Sequence, residues 1–236
     1  MKYEAVIFDL FGTLARIYSR REWQECSLQM ARVLSIPAND FERLWQETSE
    51  ERGKGEFPTI KANVEYIGHI LGIHLQETQI AFACKLRSDF SRHQLEPVPF
   101  VIEVLSRVKS DGIKTGLISN CAVDVPTIWS ETYFAALIDA PIFSCSVGLR
   151  KPDERIYRLA AQQLGVKLDE CLYIGDGDSH ELTGAAQVGM HPVLVRNPFE
   201  ESADALRDNP DAPGRWQGQV ISSLREVLDL LELYGV

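Results

Sequence analysis

The sequence lacks two patterns that would assign it to a particular class of protein: closely spaced cysteines and a long apolar run. Its five cysteines include no CxxC pair, which argues against zinc clusters and disulfide frameworks and indicates reduced, mostly structural thiols. No stretch approaches the roughly 20 apolar residues of a membrane-spanning helix. The amino terminus has no signal-peptide pattern, so we expect a cytoplasmic protein without membrane association.

Basic residues are in short supply as well. There are 24 Lys and Arg residues against 34 Asp and Glu residues, a formal net charge of -10. Because nucleic-acid affinity depends on Lys and Arg side chains that neutralise phosphates, we expect no nucleic-acid partner. The length of 236 residues allows one sizeable domain or a core with a small insertion. No pattern in the sequence specifies an oligomeric state.

Short apolar runs recur along most of the chain, and helical patterns lie between them. Continuous apolar runs of this length are typical of strands that are buried on both faces of a parallel sheet. Strand and helix alternation predicts an α/β fold, with a doubly wound (Rossmann-like) parallel sheet. The predicted strands are residues 5–10, 113–119, 142–145, 171–175 and 192–195.

One segment departs from this alternation. Residues 16–92 contain helical stripes only, separated by Pro and Gly residues. Since the segment falls between the first strand and the rest of the sheet, we predict an inserted all-α helical cap domain over residues 16–92. The catalytic core would then comprise residues 1–15 and 93–236. Residues 197–218 are polar and rich in Pro, Asp and Gly, which predicts a surface loop.

Chemically useful side chains follow four of the predicted strands. Ligands of open α/β sheets enter at the carboxyl ends of strands, so residues just beyond these ends should share one site. A carboxylate, hydroxyls, an amine and an acidic cluster occur there in that order. The candidates are Asp9, Gly12, Thr13, Ser119, Asn120, Lys151, Asp176, Asp178 and Glu181.

These residues belong to four segments that together resemble the motifs of the haloacid dehalogenase-like hydrolase superfamily. The segments are IFDLFGTL (7–14), LISN (117–120), GLRKPDERIY (148–157) and YIGDGDSHELTGAAQVGM (173–190). The match extends over nearly the whole chain. The helical insertion between the first two motifs resembles the cap of one large branch of that superfamily.

The resemblance implies a nucleophile and a metal. Asp9 would attack the substrate and form an aspartyl-phosphate, which splits one difficult step into two. The substrate would be an anionic, phosphorylated small molecule. A cation is needed because both the substrate and the acidic residues are negatively charged, and Mg²⁺ is suited to carboxylates and substrate oxygens. Its ligands would be Asp9, the backbone carbonyl of Phe11 and Asp176. Asp178 and Glu181 are candidates for ligation through water.

The resemblance also implies roles for the remaining motif residues. Lys151 would neutralise Asp9 and the transferring group, while Ser119 and the Asn120 amide would hold its oxygens. Thr13 would orient the nucleophile. Phe11, Gly12 and Asn120 are the predicted substrate-binding residues.

The sequence departs from the phosphatase pattern at Phe11, where phosphatases of this superfamily usually carry a second aspartate as general acid and base. A positioned proton donor is typically worth about 10²–10⁴ in rate, and phenylalanine cannot transfer a proton. A phosphatase could act on a good leaving group or borrow a donor such as Asp178 or His180. A 2-haloacid dehalogenase needs no acid, because halide leaves without a proton.

Two further interpretations are open. A phosphonatase-type enzyme also lacks this aspartate and would need a cap lysine, for which Lys54 and Lys61 are weak candidates. A member of another class would be catalytically silent and bind a ligand or a partner through the cap. Arg20 and Arg21 of the cap could face an anionic substrate, although each is more typical of a surface charge.

The fourth motif favours a magnesium-dependent phosphatase over a dehalogenase. Metal-free dehalogenases are expected to carry Ser and Asn where this chain has Asp176 and Asp178. Converging carboxylates without a cation would repel one another and raise their pKa values, which would impair Asp9 as a nucleophile. We therefore expect a Mg²⁺-dependent hydrolase of a small phosphorylated metabolite.

Overall fold

The computed structural model describes residues 3–196, 211 and 215–233. Its sheet has six parallel strands in the order β3-β2-β1-β4-β5-β6, which confirms the predicted doubly wound α/β fold. The strands are β1 (Ala5–Phe8), β2 (Lys114–Ser119), β3 (Ala140–Phe143), β4 (Cys171–Gly175), β5 (His191–Val195) and β6 (Gln219–Ile221).

Both faces of the sheet are covered, as continuous apolar strands require. In β1, Val6 and Phe8 join one hydrophobic cluster, while Ala5 and Ile7 join a second cluster on the opposite face. This alternation follows the period of two along a strand. The sheet therefore forms the middle of three layers, with its site-bearing edge at the strand ends.

The helices that cover the sheet follow the strands in sequence. Helices α6 and α11 contribute to the first cluster, and α9 and α10 to the second. Two short helical segments, α7 and α8, follow β2 and β3. The helices are α6 (Val101–Ser110), α7 (Asp124–Ile128), α8 (Ser144–Val147), α9 (Glu154–Leu164), α10 (Glu181–Gln187) and α11 (Glu226–Leu233).

Five helices between β1 and α6 form the cap and have a hydrophobic cluster of their own. The first begins at a capping box, in which the side chains of Ser19 and Glu22 satisfy each other's backbone N–H groups. The predicted stripes are buried, for example Trp23 and Met30 on the first helix and Phe41 on the second. The cap helices are α1 (Arg20–Leu34), α2 (Ala38–Glu47), α3 (Ser49–Lys54), α4 (Ile60–Ile70) and α5 (Glu77–Gln94).

Some boundaries differ from the sequence-based prediction. The third strand lies two residues earlier than expected, because the Ser144 hydroxyl binds the backbone N and O of Cys121 and begins α8. Strand β6 was not predicted. Helix α5 continues past residue 92, and the division into domains at 16 and 92 stays a prediction. Most of the predicted loop 197–218 lies outside the described residues.

No helix within the described part of the chain combines the length and the apolar character that crossing a membrane requires.

Candidate active site

Three buried carboxylates converge at the carboxyl edge of the central strands. Asp9 directly follows β1 and Asp176 directly follows β4, and these two strands are hydrogen-bonded neighbours. Glu181 is the first residue of α10. One carboxylate oxygen from each lies within 4.8 Å of the others. The topology thus brings together residues that are 172 positions apart (181 − 9).

One buried amine lies among these carboxylates. Lys151 Nζ donates to Asp9 Oδ1 and, at 2.5 Å, to Glu181 Oε2. Burial alone would lower the pKa of Lys151, but the charges of Asp9 and Glu181 outweigh it and hold the pKa well above its usual value. The amine is therefore a fixed positive charge beside Asp9.

Glu181 is held by more groups than its motif position suggested. Its Oε2 accepts a hydrogen bond from the Tyr173 hydroxyl at 2.8 Å, and its Oε1 accepts one from Gly177 N at 3.0 Å. Burial and the charge of Asp9 raise the pKa of Glu181 well above its usual range, although Lys151 opposes this. Tyr173 is a polar residue in the otherwise apolar β4, which was the available signal for a role that sequence reasoning missed.

Gly12 allows the first and fourth motifs to approach each other. Its backbone has φ +92°, and a Cβ there would lie 2.1 Å from Asp176 Oδ2. Any side chain would therefore displace the carboxylate in addition to straining the backbone. Gly12 is placed by the fold against the acidic cluster, and its role in substrate binding stays a prediction.

Three polar atoms of the predicted site are buried without a hydrogen bond of normal geometry: Asp9 Oδ2, Thr13 Oγ1 and Ser119 Oγ, although the Cys121 thiol lies near Ser119. Buried polar atoms normally have partners, and leaving one unpaired costs about 1–3 kcal/mol. Thr13 forms no hydrogen bond with Asp9, so the predicted orienting role stays a prediction.

Asn120 has a contact that the sequence did not reveal. Its Oδ1 accepts from Lys151 N at 2.9 Å, and its Nδ2 donates to Lys151 O at 3.2 Å. The side chain therefore ties the end of β2 to the backbone of the catalytic lysine candidate. The predicted contact of its amide with substrate oxygens stays a prediction.

The donor set fits a hard divalent cation. Asp9 Oδ2 is a buried carboxylate oxygen without a hydrogen bond, Asp176 lies beside it, and oxygen ligands of this kind suit Mg²⁺. Glu181 reaches the cluster, but both of its oxygens already accept hydrogen bonds. Asp178 lies outside the three-carboxylate group, and its backbone N donates to Asp176 Oδ1 at 3.1 Å. Ligation by Asp178 and by the Phe11 carbonyl stays a prediction.

A cavity of about 280 Å³ lies between the cap helices and this edge of the sheet. Phe11 and Asn120 line it on the core side. Trp23 and Trp45 line it on the cap side. Arg20 and Arg21 are exposed and do not line this cavity.

Comparisons with known proteins give one family. The model of the haloacid dehalogenase-like hydrolases matches residues 3–189. Over 97% of this chain and 97% of its own length, a glyceraldehyde 3-phosphate phosphatase of Methanopyrus kandleri is 25% identical. An (S)-2-haloacid dehalogenase of Pseudomonas fluorescens is also 25% identical, over 88% of this chain and 90% of its own length.

Solved structures agree on the fold. A 2-haloacid dehalogenase from Pseudomonas syringae pv. Tomato superposes with a TM-score of 0.66 at 22% identity, covering 98% of this chain and 99% of that chain. A phosphatase from Thermococcus onnurineus superposes with a TM-score of 0.63 at 19% identity and covers 97% of each chain. With the sequence match over residues 3–189, these findings confirm the resemblance of the four motifs. The chain belongs to the haloacid dehalogenase-like hydrolases.

Proposed function

We propose that this hydrolase is a Mg²⁺-dependent phosphatase of a small phosphorylated metabolite, with Asp9 as nucleophile. The observation that carries the proposal is the charge at the site. Three buried carboxylates lie within 4.8 Å of one another, and one amine faces them. Such a group is short of positive charge, and a divalent cation would supply it.

The acidic cluster favours phosphoryl transfer over metal-free dehalogenation. Lys151 can neutralise one carboxylate, and it already contacts both Asp9 and Glu181. A dehalogenase that works without metal has no use for Asp176 beside the nucleophile.

The reaction proceeds in two steps on Asp9. A carboxylate oxygen of Asp9 attacks phosphorus, and the bond from phosphorus to the leaving oxygen breaks, with its electron pair and then a proton going to that oxygen. Water then attacks the phosphorus of the aspartyl-phosphate, which releases phosphate and restores the carboxylate. When bound, Mg²⁺ offsets negative charge on the transferring phosphoryl group.

The surrounding residues supply positive charge at Asp9 and keep the reacting groups in position in both steps. Lys151 keeps a positive charge at Asp9, because its pKa is held above the usual value by the two carboxylates although burial opposes this. Ser119 offers a buried hydroxyl without a hydrogen bond of normal geometry, which is suited to a phosphoryl oxygen. Asn120 and Tyr173 keep Lys151 and Glu181 in position.

The phosphonatase alternative receives little support from the cap lysines. Lys54 and Lys61 are exposed, and each forms an ion pair, with Glu50 at 2.6 Å and Glu77 at 2.8 Å. These hydrogen bonds raise the pKa of both amines. A lysine that forms a Schiff base must react as the neutral amine, so these environments work against that chemistry.

The test compares the two remaining reactions in one preparation. We expect phosphate release from 4-nitrophenyl phosphate with Mg²⁺, loss of release in EDTA, and recovery when Mg²⁺ is restored. Halide release from 2-haloacids in EDTA, without phosphate release in Mg²⁺, would overturn the proposal. Silence toward both substrate classes, with ligand binding retained in Asp9→Asn, would instead identify a binding protein.

A further inference from the structure

The cavity between cap and core carries an excess of positive charge. Three arginines line it (Arg52, Arg87 and Arg150), whereas Asp124 is the one acidic residue among the described lining residues. Arg87 pairs with Asp124 at 2.7 Å. The other two guanidinium groups therefore have no acidic partner within the lining of the cavity.

Arg52 is held by neutral oxygens. It donates to Trp45 O at 2.5 Å and to Thr48 Oγ1 at 2.7 Å, and its guanidinium lies 4.3 Å from the centre of the Trp45 ring. Burial, followed by the nearby charge of Arg87, lowers the pKa of Arg52 to about 10. An anion in the cavity would relieve this crowding of positive charge.

Arg150 is the cation best placed for a ligand. It precedes Lys151 in the chain, lines the cavity, and has no ion-pair partner among the described residues. A Cβ on Gly53 of the cap would lie 3.1 Å from its guanidinium carbon, so the arginine packs against α3. Glu50 pairs with Lys54, whose hydrogen bond lowers the pKa of Glu50, and the charge of Arg150 contributes to this lowering.

Gln94 points to a ligand independently of charge. It is 2% exposed, lines the same cavity, and neither its Nε2 nor its Oε1 has a hydrogen-bond partner. A buried amide without partners is costly. A ligand oxygen could accept from Nε2, so Gln94 offers a polar contact to what fills the cavity.

Aromatic side chains also line the cavity. Phe11, Trp23, Trp45 and Phe90 line the cavity, and their rings suit a flat or short apolar group. The volume of about 280 Å³ lies just below the range of about 300–1,000 Å³ that is typical of ligand pockets. The occupant is therefore small.

We infer that this cavity binds a carboxylate on the organic part of the substrate, with Arg150 and Gln94 as its recognition residues. The planar fork of a guanidinium matches a carboxylate, and the aromatic rings cover the short spacer between that carboxylate and the phosphate. The inference rests on the proposed function, since it assigns the selectivity of the same site.

The test uses two aryl phosphates of the same shape, 4-carboxyphenyl phosphate and its neutral amide, 4-carbamoylphenyl phosphate. We expect kcat/KM for the acid to exceed that for the amide by at least about tenfold. Arg150→Gln should reduce this preference about tenfold, mainly through KM. Equal kcat/KM values in the unmodified protein, or an unchanged preference in Arg150→Gln, would overturn the inference.

Two further variants separate recognition from folding. Arg158→Gln removes an exposed arginine of α9 that pairs with Glu154, and it should keep the full preference. Gln94→Met should lower the preference while leaving the free energy of unfolding unchanged or higher, because the buried amide has no partner to lose. Loss of preference in Arg158→Gln as well would contradict the assignment.

A binding measurement distinguishes failure of the inference from failure of the proposed function. If neither ester releases phosphate, calorimetry with 4-hydroxybenzoate and 4-hydroxybenzamide still tests the cavity. Tighter binding of the acid, weakened in Arg150→Gln, would support the inference without the phosphatase. Equal binding of the acid and the amide would overturn it.

Discussion

At the scale of single residues, Lys151 supplies the positive charge between the buried carboxylates of Asp9 and Glu181. Its amine touches Asp9 and Glu181 and is almost fully buried. Removing one member of a buried, hydrogen-bonded group of charges leaves the other charges without a partner. This strongly lowers the stability of the protein. Lys151 therefore combines stabilisation of the neighbouring carboxylates with charge neutralisation in the proposed reaction.

Phe11 gives the residue-scale prediction. In Phe11→Asp, we expect the rate with an alkyl phosphate to rise relative to that with 4-nitrophenyl phosphate by about 10- to 100-fold, because a proton donor helps poor leaving groups most. The ratio of the two rates is measured, since it does not depend on the fraction of folded protein. Phe11→Asn is the control, because asparagine has the shape of aspartate but does not act as an acid. Its ratio of rates should equal that of the unmodified protein. An equal rise in both variants would contradict the account.

The sequence patterns predicted the site residues that lie just beyond the end of a strand. Asp9, Lys151, Asp176 and Glu181 were predicted to share a site because parallel strands end at one edge. Tyr173, which holds Glu181 from eight positions earlier in the chain, was missed because strand periodicity does not tell which hydroxyl donates to a buried carboxylate. The cavity arginines were missed because helix spacing does not tell which charged face of α3 or α5 meets the core, and because Arg150 lies in the loop before α9.

At the scale of elements, β2 and β3 are joined at their beginning by one carboxylate. Asp139, just before β3, accepts hydrogen bonds from Thr115 N at 2.9 Å and Thr115 Oγ1 at 3.0 Å, and from Lys109 Nζ at 2.5 Å. Partial burial raises the pKa of Asp139, but these hydrogen bonds outweigh it and hold the pKa below its usual value. The folded state therefore favours the ionised form.

The lowered pKa of Asp139 makes its contribution to stability larger at neutral pH than at acid pH. The contribution of Asp139 is fully present above its unfolded pKa of about 3.9 and is lost as the pH falls through the lower folded value. At pH 7, Asp139→Asn should lower the free energy of unfolding by about 1 kcal/mol, a value reduced for partial exposure. Urea unfolding should show this difference at pH 7 and a smaller one below pH 4.

A matched control lies at the end of α6. Asp111 pairs with Arg107 on the exposed surface at 2.9 Å, and Asp111→Asn should change the free energy of unfolding by less than about 0.5 kcal/mol. A difference for Asp139→Asn that grows toward acid pH would show that the carboxylate acts with the opposite sign.

Among the elements, strand β6 could not be predicted from the sequence pattern. It has three residues, of which Gln219 and Val220 are exposed, so it lacks the apolar run by which the buried strands were recognised. Its parallel pairing with β5 supplies backbone hydrogen bonds that sequence periodicity does not register. The interior strands were predictable because burial on both faces determines their composition.

At the scale of the whole molecule, cap and core are joined through a buried ion pair. Arg87 of α5 contacts Asp124 at the start of α7 at 2.7 Å, and Asp124 also accepts from Ser91 Oγ. Asp124 is 2% exposed. Removing its charge leaves a largely buried guanidinium without its counter-ion.

We expect Asp124→Asn to lower the free energy of unfolding by about 2 kcal/mol, because the buried cation loses its charged partner but keeps a polar one. Glu131→Gln is the control, since Glu131 pairs with the cap residue Arg92 at 3.1 Å on the surface; its effect should stay below about 0.5 kcal/mol. Urea unfolding at pH 7 compares the two variants. Equal effects would contradict the importance of the buried pair.

Covalent trapping on Asp9 shows whether this residue is the nucleophile. The protein is mixed with 4-nitrophenyl phosphate and Mg²⁺, quenched, and reduced with borohydride, which converts an aspartyl-phosphate to homoserine. We expect homoserine at position 9, absent in EDTA and in Asp9→Asn, together with loss of phosphate release in that variant. Phosphate release that continues in Asp9→Asn, or turnover without modification at position 9, would contradict it.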